Sequence, residues 1–116
     1  VVKENPIREK SFDFALQIIE LYVRMRDSRE YVLSKQLLRC GTSIGANVEE
    51  SSAAQSRSDF ISKLSIASKE ARETKYWLRL IQRSRLVEID VTEELAKVEE
   101  LIRLLTAIVK STGENR

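Results

Sequence analysis

Cys40-Gly-Thr-Ser-Ile-Gly-Ala-Asn-Val-Glu-Glu-Ser-Ser-Ala-Ala-Gln55 holds two of the three glycines of this 116-residue chain. Leu33, Leu37, Cys40, Ile44, Val48 and Ser51 nevertheless recur at helical spacing straight through both of them. An uninterrupted apolar register predicts one helix from about Glu30 to Gln55, rather than two helices divided at Gly41 with Ser43 as a new cap. Each glycine costs roughly 1 kcal/mol against alanine inside a helix. Ser34, Gly41, Gly45 and Ser52 line up beside the apolar face. The lost propensity is therefore expected to be offset by close packing of another helix along that thin side.

The flanking segments read the same way. Ser11 is the expected N-cap of a first helix, in which Asp13, Gln17, Glu20, Arg24 and Asp27 form one narrow polar stripe. Nearly everything else from Phe12 to Met25 is apolar, more than one bundle core needs. That surplus predicts a helix covered on more than one side, and hence a homo-oligomer. Asp27-Ser-Arg-Glu30 resembles a capping box for helix two, and Asp90-Val-Thr-Glu93 one for helix four.

Helix three, with Ser58 as expected N-cap, carries a seam of Phe60, Leu64, Ala67, Ala71, Thr74, Leu78 and Ile81. Ile66, Trp77 and Leu80 make a second apolar patch beside it. Helix four carries Val91, Leu95, Val98, Ile102, Leu105 and Val109. The fold class is all-α, an antiparallel up-down-up-down four-helix bundle over residues 11–112. Residues 1–10 are expected to be a flexible arm and 113–116 a frayed end.

Composition narrows the function. The chain has no His and a single cysteine, so the commonest general base and zinc ligand are missing and no internal disulfide can form. Cys40 lies on the apolar side of its helix and reads as a small core residue. Glu49, Glu50 and Asn47 lack the histidines of a di-metal bundle site, and Glu70 and Glu73 are expected to pair with Lys69, Lys75 or Arg39. Asn47 is expected to hydrogen-bond across the helix seam. No catalytic residues, cofactor or metal are expected, and the chain does not read as an enzyme. A helix-turn-helix around Gly41 is disfavoured by the unbroken register and by Glu49 and Glu50 after the supposed turn. No apolar run approaches the roughly 20 residues needed to cross a bilayer. A cytoplasmic location without membrane contact is expected.

Net charge is only +2 but unevenly spread. Residues 57–85 hold eight Lys/Arg against three Asp/Glu, and residues 86–116 hold four against seven. Lys69, Arg72, Lys75, Arg79 and Arg83 share about a third of the helix-three circumference, with Tyr76 in the same arc. Such a row could contact RNA or DNA phosphates without sequence preference, with Tyr76 stacking on a base. The same row also suits a solvated face, or contacts with acidic helix four of the same or a neighbouring subunit. A purely structural or protein–protein interaction module without nucleic-acid binding is the alternative.

Phe12-Asp-Phe, Tyr31-Val-Leu-Ser-Lys-Gln-Leu-Leu-Arg39, Ser43-Ile-Gly-Ala-Asn-Val-Glu-Glu50, Ala54-Gln-Ser-Arg-Ser-Asp-Phe60 and Glu70-Ala-Arg-Glu-Thr-Lys-Tyr-Trp-Leu78 together resemble one family. It comprises the bacterial four-helix-bundle proteins encoded in intervening sequences of 23S ribosomal RNA genes. The resemblance spans residues 11–110, with Ser43 to Leu78 its most specific block. It implies an all-α bundle assembled as a homopentamer. It also implies kinship with the accessory variability determinant of diversity-generating retroelements, a strongly basic protein that binds nucleic acid and a reverse transcriptase. This chain departs in its weak net charge, and in Gly45 where many members carry Pro, which implies a softer bend in helix two.

Overall fold

The computed structural model describes residues 6–114 as four helices: α1 (Pro6–Asp27), α2 (Leu33–Ser51), α3 (Arg57–Ser84) and α4 (Thr92–Glu114). Among the described residues there is no strand, the Leu86–Ile89 link included. The helices form a bundle of 48 × 21 × 21 Å. α1 and α3 each lie against α2 and α4, while the backbones of the diagonal pairs stay apart across the shared core, and the α1–α4 side is the loosest.

α1 begins at Pro6, before the expected Ser11 cap. Proline suits a first helical turn because its missing N–H has no intrahelical partner there. Ile7 is buried in the core one heptad before Phe14, so packing draws residues 6–10 into the helix. Ser11 is itself buried, its hydroxyl donating to the Arg8 carbonyl at 3.2 Å. Residues 1–5 of the expected arm lie outside the described residues, as do 115 and 116. At the other end, α4 continues through Gly113 to Glu114.

The α1–α2 turn departs from the expected capping box. Asp27 ends α1, and Arg29 adopts the left-handed conformation (φ 66°). The Glu30 N–H then reaches the Met25 carbonyl at 2.9 Å and that of Arg29 reaches Arg26 at 2.8 Å, a Schellman closure. Glu30 does the capping of α2 instead. Its carboxylate accepts from the N–H groups of Val32, Leu33 and Ser34 at 3.0, 3.0 and 2.7 Å.

α2 runs unbroken through Gly41 and Gly45, as its register requires, and stops at Ser51 rather than Gln55. α3 is capped by Ser56 rather than Ser58. The extended backbone at Ser56 lets its hydroxyl accept from the Asp59 N–H at 3.0 Å. At α4, Asp90 accepts from both the N–H and the hydroxyl of Thr92 (3.0 and 2.6 Å), while Glu93 turns away to Gln17.

The core consists of Ile7, Phe14, Ile18, Leu21 and Met25 from α1, Leu37, Cys40, Ile44 and Val48 from α2, the α3 seam, and Val91, Val98, Leu101 and Leu105 around α4. The α3 seam is as expected from Leu64 to Ile81, with Phe60 half-buried at its start. α4 is rotated slightly from expectation: Leu101 is fully buried, while Leu95, Ile102 and Val109 pack at the margin.

Candidate interaction surfaces

The thin side of α2 meets α1. A Cβ on Gly41 would lie 2.9 Å from both γ carbons of Ile18, and one on Gly45 would lie 3.2 Å from the Ser11 carbonyl oxygen. Ser34 is buried, but its N–H and hydroxyl serve the Glu30 cap. Ser52 falls outside the packed seam, exposed at the α2 C-cap with its hydroxyl on the Glu49 carbonyl.

The polar stripe of α1 divides in two. Gln17 donates to Glu93 of α4 at 2.9 Å, and Arg24 pairs with the buried Glu94 at 3.3 Å. Asp13, Glu20 and Asp27 are exposed and unpaired among the described residues. Next to them runs an apolar row: Phe12 is 64% exposed, Leu16 48%, Ile19 43% and Val23 50%. Phe12, Leu16 and Ile19 of this row border a shallow groove of about 500 Å³ whose other wall is Thr42, Gly45 and Ala46 of α2. A smaller cleft of about 280 Å³ on the α1–α4 side is lined by Glu9, Asp13 and Lys97 and spanned by the Lys10–Glu100 pair at 3.0 Å.

On α3, the six residues of the expected phosphate-binding row separate by environment. Lys75 is held by Glu99 of α4 at 3.2 Å, and Arg72 reaches the Thr106 hydroxyl at 3.5 Å. Lys69, Arg79 and Arg83 are exposed, with no carboxylate partner among the described residues. Tyr76 is 56% exposed and stands edge-on to Trp77, with ring centroids 5.4 Å apart.

Trp77 is half-buried against the core, its indole N–H donating to Glu73 at 3.0 Å. Of the three cations expected at Glu70 and Glu73, Arg39 of α2 is the one that engages them, pairing with that same Glu73 and lying 3.5 Å from Glu70, while Lys75 goes to Glu99 and Lys69 faces outward. Glu49 and Glu50 are likewise taken up, by Arg8 at 2.6 Å and Lys63 at 3.1 Å. Asn47 bonds within its own helix, to the Ser43 carbonyl at 2.9 Å, rather than across the seam. No group of three potential metal ligands occurs among the described residues. Burial pushes the Cys40 thiol above its ordinary pKa, partly countered by a hydrogen bond with Thr74. No described helix is long and apolar enough to cross a membrane.

The family model for the 23S rRNA-intervening sequence protein matches residues 3–107. The chain belongs to this family. Among solved structures, it is similar to a protein of unknown function from the S23 ribosomal protein family of Bacteroides thetaiotaomicron, at 45% identity. The alignment covers 90% of this chain and 98% of that one, with a TM-score of 0.85. No curated protein matches the chain. Family membership accounts for the fold.

Proposed function

We propose that this family member is a non-enzymatic, self-associating scaffold built on an antiparallel up-down-up-down bundle. The direction of the helices is supported by the order of their contacts. Arg8 near the start of α1 meets Glu49 near the end of α2, Lys63 meets Glu50, Lys75 meets Glu99, and Lys10 and Gln17 meet Glu100 and Glu93 in reversed order. The observation that carries self-association is the bare row Phe12, Leu16, Ile19 and Val23. Each side chain leaves about half its surface in water, so covering it is worth roughly 1 kcal/mol apiece. A continuous row of this kind on a small domain is an association surface. Five subunits are expected from the family resemblance.

Sedimentation velocity over nanomolar to micromolar concentrations tests this reading. An oligomer that Leu16→Asp dissociates is the expected result, and a wild-type monomer throughout overturns it. A second reading, sequence-tolerant RNA or DNA binding, is favoured by Lys69, Arg79 and Arg83, which α4 leaves unengaged. Retention of a labelled structured RNA across a salt series should fall steeply with salt and be lost on reversing these three to Glu. Retention that is absent even at low salt sinks that second reading.

A further inference from the structure

Resting on the self-association reading above, we propose that the α1 face of one copy docks on the outer row of α3 of a second copy, with Asp13, Glu20 and Asp27 set against Lys69, Tyr76 and Arg83. The two rows match in spacing. The three carboxylates recur every seven residues along α1, and Lys69, Tyr76 and Arg83 recur every seven along α3. A seven-residue repeat drifts by only about 20° per step, so each set forms a nearly straight line. On both helices the outer members stand 14 residues, or about 21 Å, apart.

Two carboxylates therefore face two cations in register, and the Tyr76 hydroxyl is placed to donate to Glu20 between them. Apolar surface lies beside each line: Phe12, Leu16, Ile19 and Val23 on α1, and Ile66, Trp77 and Leu80 on α3.

The charges are available because the subunit does not use them. Asp13, Glu20, Asp27, Lys69 and Arg83 are all exposed and unpaired among the described residues, whereas neighbouring Gln17, Arg24 and Lys75 are bound to α4. Asp27 also sits at the C-terminal end of α1, where the helix dipole disfavours a carboxylate and a partner cation would relieve it.

α1 and α3 are diagonal in the bundle and their outer rows face away from each other, so one copy presents both rows to different neighbours. An α1-on-α1 contact about a two-fold axis perpendicular to the helices would set the carboxylates against themselves. The contact is thus heterologous, and copies join head to tail. The apolar rows supply binding and the charges select the partner face.

The test uses complementation, read by sedimentation velocity with circular dichroism to confirm folding. The α1 variant (Leu16→Asp with Val23→Asp) and the α3 variant (Lys69→Glu, Tyr76→Asp, Arg83→Glu) should each be monomeric alone. Mixed in equal amounts they should form a heterodimer and nothing larger, since only one intact pair of faces remains.

In a second arm, Asp13→Lys with Asp27→Lys, or Lys69→Glu with Arg83→Glu, should each weaken assembly about tenfold or more, and all four in one chain should restore it. This arm changes only exposed charges and decides the question should the first set of variants unfold. Wild-type assembly with no heterodimer and no charge-swap rescue overturns the pairing while leaving self-association standing. A wild-type monomer removes both. An α3 variant that assembles normally but loses RNA retention also overturns the pairing, assigning the row to nucleic acid.

Discussion

The hydrogen on Gly41 is what allows Ile18 to lie against the α2 backbone: a Cβ there would stand 2.9 Å from both Ile18 γ carbons. Ile18 is fully buried and branched at Cβ, so it has little freedom to move aside. Gly41→Ala gains about 1 kcal/mol of helix propensity but incurs about 1–3 kcal/mol of overpacking. We expect net destabilisation of about 1 kcal/mol in urea unfolding. In an Ile18→Ala background, which removes those γ carbons, the same substitution should become neutral or stabilising. A Gly41→Ala protein more stable than wild type would contradict the close approach.

Leu101, rather than Ile102, fills the core from α4. Leu101→Ala should cost about 2–5 kcal/mol through a buried cavity. Ile102→Ala, at the partly covered margin, should cost about 1–2 kcal/mol. Equal losses in denaturant titrations would place the helix in the other rotation.

Glu30 replaces a conventional cap by accepting from three successive backbone N–H groups of α2. Its side chain is nearly buried, so water cannot easily substitute. Glu30→Ala should destabilise by about 2 kcal/mol, and Glu30→Gln, which keeps one acceptor oxygen, by less. Chemical denaturation of both variants checks the ranking.

Cys40 is enclosed by the core, and burial holds its thiol protonated above the ordinary range. Ellman's reagent at neutral pH should therefore react slowly with the folded protein, and rapidly once urea unfolds it. Rapid labelling without denaturant would show that the α2–α3 seam is open.

Asp90 is exposed, yet the Thr92 hydroxyl, and secondarily its N–H, hold the carboxyl below its ordinary pKa. A folded-state value below the unfolded one means that the ionised form favours folding. That contribution is present above the ordinary carboxylate range and is lost as pH falls through the lowered value. The gap in melting temperature between wild type and Asp90→Ala should thus be constant near neutrality and narrow in acid. A gap that widens in acid would reverse the assignment.

Much of this architecture follows from local pattern alone. The register through Leu37, Cys40, Ile44 and Val48 was sufficient to carry α2 across both glycines, because a glycine weakens a helix by far less than a continuous buried face stabilises it. The α3 seam from Leu64 to Ile81 was legible for the same reason, as was the surplus of apolar residues on α1.

Tertiary structure decided what depends on the residue across the way. The start of α1 at Pro6 was settled by the burial of Ile7, and the rotation of α4 by where its neighbours leave room for Leu101. The six α3 residues that share one arc in sequence became unlike only because α4 brings Glu99 to Lys75 and leaves Lys69, Tyr76 and Arg83 facing outward. Periodicity within a helix sets which residues share a face. Only the packing of helices against one another sets whether that face meets a core, a counter-charge or water.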